Sequence, residues 1–597
     1  MKPFLPYWTR ILFLSLVVRN SLGALYTTFE DLPQTDFDFV VIGSGAAGPV
    51  IANRLTENPK FSVLLLEAGP SPEGRLEYTI PLYASTLWRP GPFDWNYKLT
   101  PQAGLNGQVQ DYPRGRILGG CTSMNGMSYI RGSSGDYDRY AHVTGDSGWS
   151  WDALQPYFRK NERWSPPTDG HDTTGQFDPQ VHGFHGINTV SLLGFSIPDL
   201  YSRVIGLFEK RPDLLPFNLD YNSGSPIGIG YQQSTIKHGR RSSSFTSYLA
   251  PEYLARPNLN VLINAQATKL LSHNNSNVFS AVEFSSGRSG LRNVVSATKE
   301  IVISAGSLET PKLLMNSGIG DFQELSAHGI HTLVHLPDVG ENLSVHVGVG
   351  MSYFVNSTDT IDEFLRNATL REELAHQWED ADGGGRLGGN FVVFPAYYRL
   401  PDDATIFQGQ PDPSSAHDSP HLSGGVQNGI YGTPPPEGNF VNFDSTVLTP
   451  TSRGTIKLRS SDPFDTPLID TAALISDFDI FAIREGMRHA MAVANTSVWE
   501  GYILRPLSNL TLASSDAGLE AYARARAAPN GHIVGTASMS KKGADYGVVD
   551  PDLRVKEAMG LRVVDASVLP FAPAGTTQPA VYTIAERAAD LIKESWE

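Results

Sequence analysis

The sequence predicts an α/β fold that contains a Rossmann-like dinucleotide-binding domain. Two observations predict it. A glycine-rich turn separates an apolar strand from a helix near the start of the chain, and a second apolar strand then ends on an acidic residue. The chain has 597 residues. Since one simple core rarely grows to this size, the length allows a second domain and a large buried site.

The glycine-rich turn has the spacing of a dinucleotide-binding motif. Phe39–Ile42 is a short apolar run typical of a buried parallel strand, and Gly43, Gly45 and Gly48 follow it as G-x-G-x-x-G. Gly43 allows the tight turn, Gly45 lets the backbone approach a pyrophosphate, and Gly48 lets helix and strand pack closely. The turn therefore predicts a phosphate site at the N-terminus of the next helix.

A helix and a second strand complete this βαβ unit. The pattern predicts the helix from Ala46 to about Glu57 and the strand over Val63–Leu66. Glu67 ends the strand, 19 residues after Gly48. Its carboxylate can accept hydrogen bonds from ribose hydroxyls and would repel a 2′-phosphate. The unit predicts a bound NAD or FAD without deciding between them.

Charge and cysteine content exclude further classes of function. The formal net charge of -16 would repel nucleic acid and anionic membrane surfaces, so neither is expected as a partner. Cys121 is the only cysteine, so the chain cannot form an internal disulfide. The stability of the fold must therefore come from its core.

The N-terminus has the pattern of a secretory signal. Lys2 and Arg10 precede the apolar run Ile11–Val18, which is too short to span a bilayer, and small residues follow. We therefore expect a signal peptide over 1–23 and a secreted protein, with a buried N-terminal helix as the alternative. In a secreted chain six N-x-[ST] sequons become glycosylation candidates: Asn274, Asn342, Asn356, Asn367, Asn495 and Asn509. Asn342 lies in a run that suggests a packed turn.

Two longer motifs carry a family resemblance. Gly115–Met127 reads GRILGGCTSMNGM, and Gly306–Gly320 reads GSLETPKLLMNSGIG. Both resemble the signatures of the glucose-methanol-choline (GMC) oxidoreductases, which use FAD. The run Gly560–Pro570 is a third match, and it precedes a helix predicted from Gln578 to Glu594. The resemblance is closest to the fungal aryl-alcohol oxidases and is loosest between Val345 and Leu448.

The resemblance implies the GMC fold, in which a Rossmann-like FAD-binding domain carries a second, α+β substrate domain. The FAD domain would be assembled from three separate segments, 36–145, 240–344 and 545–597. The segments 146–239 and 345–544 would form the substrate domain over the flavin.

The resemblance also implies which residues contact FAD. Asp565 would lie near the ribityl phosphate, the backbone at Thr577 and Gln578 near the flavin, and the backbone of Ala267 near the adenine. The first signature would add Arg116, Gly119, Thr122, Asn125, Gly126 and Met127 to this cofactor site. Some relatives have at the position of Asn125 a histidine that attaches FAD covalently, so non-covalent FAD is expected. Cys121 stands where relatives have serine or glycine, and we interpret it as a small buried side chain rather than a functional thiol.

His532 is the predicted catalytic base. It lies in Asn530–Met539, which matches the family motif that contains this histidine, and neutral histidine is the usual base near pH 7. Relatives have a second histidine or an asparagine where this chain has Thr576. A hydroxyl can hydrogen-bond an alcohol oxygen but cannot share a proton as imidazole does, so Thr576 is expected to be a weaker catalytic partner.

The predicted reaction is oxidation of a primary alcohol to an aldehyde by a monomer, with oxygen or another electron acceptor. Aryl-alcohol oxidases have aromatic side chains where this chain has Gly126 and Gly531. We therefore expect a wider site and a bulkier alcohol, such as a hydroxymethyl group on a secondary-metabolite scaffold, unless Tyr431 or Phe440 fills the space. Two alternatives stay open: a non-redox lyase of the hydroxynitrile lyase type, and an inactive FAD-binding relative. No metal ligands are predicted.

Overall fold

The computed structural model describes residues 25–430, 432–508 and 515–596. The expected signal peptide, Tyr431 and the sequon at Asn509 lie outside these residues. Two large sheets dominate the described chain, and the helices and short strands pack around them. In this part of the protein, none of the helices has the length and apolar character needed to cross a membrane.

The first sheet has eight strands and is mainly parallel. Its strands are β1 (Leu25–Tyr26), β2 (Asp36–Ile42), β3 (Val63–Leu66), β12 (Leu259–Leu262), β13 (Gln266–Ser272), β14 (Phe279–Ser285), β15 (Asn293–Ile303) and β26 (Leu561–Val563). They lie side by side in the order β1, β12, β3, β2, β15, β14 and β13, and β26 also pairs with β15. Strands from all three segments predicted for the FAD domain therefore share one sheet. Leu25–Tyr26 precede the first of those segments and add an edge strand.

The predicted βαβ unit forms the centre of this sheet. β2 and β3 pair in parallel with Val40 opposite Leu64, and both strands are almost wholly buried. The helix between them is α1, Gly48–Leu55, which starts and ends two residues inside the predicted bounds. Gly48 is obligatory here, because a Cβ on it would lie 1.9 Å from the carbonyl oxygen of Gly43.

The second sheet has seven strands, all of them antiparallel to their neighbours. Its strands are β8 (Gly228–Ile229), β18 (Val347–Val355), β19 (Val392–Tyr398), β20 (Leu422–Asn428), β21 (Phe440–Val447), β24 (Ile503–Pro506) and β25 (Ala528–Pro529). They lie side by side in the order β24, β18, β21, β20, β19 and β8, and β25 also pairs with β18. They fall within the two segments predicted for the substrate domain.

Shorter strands form small sheets around these two. They are β4 (Tyr97–Lys98), β5 (Asp111–Tyr112), β6 (Glu162–Trp164), β7 (Asn188–Leu192), β9 (Gln233–Ser234), β10 (Ile236–Lys237), β11 (Arg240–Arg241), β16 (Ile319–Gly320), β17 (Val334–His335), β22 (Thr455–Lys457) and β23 (Leu468–Asp470).

Thirteen further α-helices lie in the described chain. They are α2 (Leu76–Thr79), α3 (Ser134–Thr144), α4 (Trp151–Asn161), α5 (Pro198–Lys210), α6 (Ser244–Tyr248), α7 (Pro251–Leu254), α8 (Gly306–Asn316), α9 (Phe322–Ala327), α10 (Ile361–Arg366), α11 (Ala368–Asp380), α12 (Asp477–Ala494), α13 (Asp516–Arg526) and α14 (Thr577–Trp596). The last helix starts one residue earlier and ends two residues later than predicted. It is buried against α1 and α4.

The described sequons differ in how accessible they are. Asn274, Asn356, Asn367 and Asn495 are exposed. Asn342 is half-buried, and its Nδ2 donates to Ser538 Oγ at 2.9 Å and to the carbonyl oxygen of Pro570 at 3.1 Å. N-glycosylation replaces one of the two hydrogens on this nitrogen, so modification of the folded protein at Asn342 would break at least one of these hydrogen bonds.

Candidate active site

A cavity of about 860 Å³ lies where the two sheets meet, and it brings together most of the predicted site residues. Its lining includes the glycine turn after β2, the end of β3, the N-terminal residues of α8 and α14, and the chain around His532. Of the predicted cofactor and catalytic residues, thirteen line it: Gly43, Gly45, Glu67, Thr122, Asn125, Gly126, Met127, Ala267, His532, Asp565, Thr576, Thr577 and Gln578. Gly48, Arg116 and Gly119 lie behind this lining.

The glycine turn is shaped to receive a ligand. Gly43 has a φ of +95°, and a Cβ on it would lie 2.5 Å from the carbonyl oxygen of Ser304. For Gly45, no described atom lies within 4 Å of the position a Cβ would take. This open space borders the N-terminus of α1, whose free N–H groups favour an anion. The turn therefore fits the pyrophosphate of a dinucleotide.

Glu67 stabilises this turn. Its carboxylate accepts hydrogen bonds from the Ser44 N–H at 2.9 Å, the Ser44 hydroxyl at 2.7 Å and the Gly69 N–H at 2.7 Å. Burial raises the pKa of Glu67, and these three hydrogen bonds oppose the increase. Because a carboxylate has about four acceptor sites, the side chain can still accept a further hydrogen bond from a ribose.

Asp565 joins two segments of the chain at the carboxyl ends of β15 and β26. One carboxylate oxygen accepts from the Gly306 N–H at 2.9 Å and the Thr310 hydroxyl at 2.6 Å, both at the start of α8. The other oxygen accepts from the N–H and the hydroxyl of Ser567. Asp565 therefore has a structural role, because it connects these two segments of the chain. It also lines the cavity.

Asn125 is held in place by two residues. Its Nδ2 donates to Gln578 Oε1, and its Oδ1 accepts from Arg241 Nη1 at 2.9 Å. Arg241 is buried and donates to the backbone carbonyl of Asn125 as well, at 2.7 Å. These bonds fix the first signature loop against the start of α14, so a positive charge and a helix N-terminus lie on the same side of the cavity.

His532 has a histidine neighbour that the sequence analysis did not identify. The Nδ1 atoms of His532 and His346 are 3.0 Å apart, and the two rings meet edge to face. Burial, with the Arg114 guanidinium adding to it, lowers the pKa of His532 to about 4. Burial and then His532 hold the pKa of His346 well below its usual range. Both imidazoles are therefore neutral near pH 7, and one Nδ1–H donates to the other Nδ1.

Thr576 does not contact His532 through a hydrogen bond. Its hydroxyl donates to the backbone carbonyl of Ser128 at 3.0 Å and accepts from the Ile130 N–H at 3.2 Å. Its backbone N–H also donates to the carbonyl of Ile130. The threonine thus ties the loop before α14 to the chain after the first signature, and it also lines the cavity, whereas the hydrogen-bond partner of His532 is His346.

Arg114 fills the space expected to be open at Gly531. A Cβ on Gly531 would lie 3.3 Å from Arg114 Nη2 and 3.4 Å from Nη1. The guanidinium is held by the Tyr112 hydroxyl at 2.7 Å and by Cys121 Sγ at 3.5 Å, and in the described chain it forms no ion pair with a carboxylate. A permanent positive charge therefore replaces the aromatic wall of the aryl-alcohol oxidases at this position.

The second expected opening, at Gly126, is also bordered by other side chains. A Cβ on Gly126 would lie 3.6 Å from Trp88 and 3.7 Å from Phe391, and these two rings meet edge to face at 5.5 Å. Phe440 does not perform this function, because it is fully buried and packs on Phe354. Trp88 and Phe391, rather than Phe440, therefore border the space at Gly126 that we expected to be open.

One wall of the cavity is a polar strand that we did not identify from the sequence. Asn442, Asp444 and Thr446 of β21 line the cavity together with Gln427 of β20. The available signal was the alternation of polar and apolar residues in FVNFDSTV, which predicts a strand with one apolar and one polar face. This segment lies where the family resemblance is loosest.

Comparisons with known proteins agree with this arrangement. A family model described as GMC oxidoreductase matches residues 37–348, and the C-terminal model of the same family matches residues 450–585. The chain is 40% identical to dehydrogenase eriK of Hericium erinaceus, with 98% of each protein covered. It is 38% identical to pyranose dehydrogenase 3 of Leucoagaricus meleagris, with 96% of each covered.

Solved structures show the same fold. A variant of the formate oxidase of Aspergillus oryzae, studied for its FAD modification, superimposes with a TM-score of 0.86 at 28% identity, covering 94% of this chain and 99% of that one. A fungal aryl-alcohol oxidase superimposes with a TM-score of 0.81 at 25% identity, covering 94% of this chain and all of that one (100%). The two dehydrogenases therefore share more of this sequence than the aryl-alcohol oxidase does.

Proposed function

Because the chain belongs to the GMC oxidoreductase family, we propose that it binds FAD and oxidises an alcohol to an aldehyde, with His532 as the base. The observation that carries this proposal is the position of His532. Its neutral imidazole lines the same cavity as the glycine turn, Glu67 and the N-terminus of α14. A proton acceptor and a dinucleotide cradle thus share one enclosed space.

The residues of the chain suggest how the proton is removed. In the tautomer in which His532 donates its Nδ1–H to His346 Nδ1, Nε2 carries no proton and can accept the proton of the substrate hydroxyl. FAD, when bound, supplies the hydride acceptor. Gly43, Gly45, Glu67 and the signature loop would hold its nucleotide part, and the start of α14 with Arg241 would favour negative charge near its flavin.

The relatives support a particular kind of electron acceptor. Two of them are described as dehydrogenases. We therefore propose that an acceptor other than oxygen is preferred. We also propose that residues 1–23 direct secretion, that the mature enzyme is a monomer with non-covalent FAD, and that glycans occupy exposed sequons such as Asn274.

The experiment that tests the base uses anaerobic rapid mixing with an alcohol. His532→Ala should reduce the rate of flavin reduction about 100-fold or more, because a general base contributes about that much, while FAD stays bound. The matched control is His376→Ala, whose side chain is 80% exposed on α11 and which should react like the parent. A rate for His532→Ala within a few-fold of the parent would exclude His532 as the base.

The same apparatus separates the alternatives. Flavin that stays oxidised while a cyanohydrin is cleaved would indicate the lyase, and flavin that no alcohol reduces would indicate the inactive relative. Admission of air after reduction then measures the reaction with oxygen.

A further inference from the structure

The pocket face of β21 is polar although the strand is central in its sheet. Asn442, Asp444 and Thr446 alternate along one face and line the cavity. The residues between them face the other way: Phe443 packs on Trp499, and Ser445 lies against Gly486 of α12. Burial of three successive polar side chains costs free energy unless they are hydrogen-bonded. Asn442 meets this requirement within the protein, since it accepts from Ser352 Oγ at 3.0 Å and donates to Gln427 Oε1 at 3.3 Å. A polar ligand would therefore find free acceptor sites mainly at Asp444.

The neighbouring strands leave this polar surface uncovered. Asp444 lies opposite Gly350 of β18 and Gly425 of β20, and Thr446 lies opposite Gly348. A Cβ on Gly350 would lie 2.8 Å from Asn442 Oδ1, and one on Gly348 would lie 2.6 Å from Thr446 Oγ1. Larger side chains at these two glycines would cover the polar groups, so glycine keeps them open to the cavity.

Asp444 has little of its hydrogen-bonding capacity in use. Its Oδ1 accepts from Gln427 Nε2 at 3.1 Å, and within the ranges that the structure describes no lysine, arginine or histidine forms an ion pair with it. Burial raises the pKa of this carboxyl group to about 7. A carboxylate has about four acceptor sites, so most of them are left for a ligand.

The wall lies beside the predicted base. The position of a Cβ on Gly348 is 3.4 Å from Asn530 Oδ1, two residues before His532. Thr446 is therefore at the end of β21 nearest His532. Asp444 follows at about 7 Å along the strand, since each residue of a strand rises about 3.4 Å. A substrate whose reacting hydroxyl is held at His532 can therefore hydrogen-bond to Asp444 only if it carries a second polar group away from that hydroxyl.

We propose that Gln427, Asn442, Asp444 and Thr446 form a subsite for a second hydroxyl group of the substrate, with Asp444 as the main acceptor. This subsite rests on the proposed function. It implies that the substrates are alcohols with a second hydroxyl group, such as polyols and hydroxylated ring compounds. A cationic amine is disfavoured because the uncompensated guanidinium of Arg114 lines the same cavity.

Binding without chemistry tests this subsite. The ligands are 2,5-dimethylhexane-2,5-diol and 2,5-dimethylhexan-2-ol, two tertiary alcohols that lack the hydrogen needed for oxidation and differ by one hydroxyl. Calorimetry with the FAD-loaded enzyme gives their Kd values. At about pH 8.5, where a carboxyl group with a pKa of about 7 is mostly ionised, the ratio of monool Kd to diol Kd should fall about tenfold or more in Asp444→Leu, as expected for loss of a hydrogen bond to a charged acceptor.

Turnover provides a second measurement. The substrates are 1,4-benzenedimethanol and 4-methylbenzyl alcohol, which have similar size and again differ by one hydroxyl. Asp444→Leu should lower kcat/KM for the diol about tenfold more than for the monool. Ser445→Ala, on the opposite face of the same strand, is the matched control and should keep both ratios within twofold of the parent.

The outcomes separate the subsite from the proposed function. Kd and kcat/KM ratios that Asp444→Leu leaves unchanged would overturn the subsite, even if His532 proves to be the base. A changed Kd ratio without flavin reduction by either alcohol would support the subsite and contradict the proposed reaction. If Asp444→Leu does not retain FAD, Asp444→Ala serves instead. It removes both acceptor oxygens and adds no bulk, and an unchanged Kd ratio there overturns the subsite.

Discussion

Arg114 and Gly531 act as a pair beside His532. A Cβ at position 531 would lie 3.3 Å from Arg114 Nη2, so a side chain there would require the guanidinium to shift. In the described chain no carboxylate forms an ion pair with Arg114, and its positive charge acts on His532. The charge disfavours protonation of His532, which keeps the imidazole in the form that accepts a proton.

This pair predicts the pH dependence of the reaction. His532 is active when neutral and its pKa is about 4, so the rate of flavin reduction should fall only as the pH approaches 4. Arg114→Met removes a charge that lowers this pKa. The acid limb should therefore move up towards the ordinary value of histidine, although burial still opposes the shift. The measurement is the anaerobic reduction rate between pH 3.5 and 8.

The control for this prediction is Arg505→Met, an exposed arginine on the edge strand β24 that packs over Phe354. It should leave the acid limb unchanged. An acid limb at the same pH in Arg114→Met and the parent would mean that burial alone sets the pKa of His532.

At the scale of elements, the start of α8 depends on a residue 259 positions away in the chain. Asp565 accepts two hydrogen bonds from α8 and two from Ser567, and in doing so joins the second and third segments of the FAD domain. Burial raises the pKa of Asp565, so these four bonds compensate for an unfavourable environment. Loss of the carboxylate would leave buried donors without an acceptor.

Asp565→Ala should therefore destabilise the protein strongly. Removal of a buried charged acceptor typically costs about 3 kcal/mol, and urea unfolding at constant FAD concentration measures the loss. Asp477→Ala changes an exposed acidic residue in the first turn of α12 and should unfold close to the parent. Equal midpoints for the two variants would show that the Asp565 contacts contribute nothing to stability.

At the scale of the whole molecule, the cofactor site is assembled from distant parts of the chain. β2, β15 and β26 pair within one sheet, and α1, α8 and α14 all begin at the cavity. A ligand bound there contacts all three chain segments predicted for the FAD-binding domain. Binding should therefore stabilise the whole domain, because a ligand that binds only the folded state shifts the unfolding equilibrium.

The same site predicts how FAD is held. Asn125 offers an unreactive amide that is already bonded to Gln578 and Arg241, so we expect no covalent link at this position. Acid precipitation should release the yellow colour into the supernatant, and the protein stripped of FAD should have a lower Tm. Colour that stays in the pellet would contradict the prediction. Cys121→Ala would then test the only thiol of the chain, which also lines the cavity.

The sequence by itself determined the features that depend on local patterns. The strand, glycine turn and helix from Asp36 to Leu55 are set by neighbouring residues. The helix bounds were predicted within two residues and the strand end was predicted correctly, although the strand begins three residues earlier than predicted. The two signatures are continuous motifs, and they identified the family and its fold; most of the residues predicted for the site line the cavity. His532 was predicted because its neighbours in the chain match a family motif.

Only the tertiary structure decided which distant side chains meet. His346 lies 186 positions from His532, and Arg114 lies more than 400 positions from Gly531, so neither contact leaves a local pattern. The hydroxyl of Thr576 donates to the carbonyl of Ser128 and accepts from the Ile130 N–H. These bonds also depend on packing between distant segments, which the local sequence does not show. The polar face of β21 lines the cavity only because its sheet packs over the cavity, and strand alternation does not specify which face is covered.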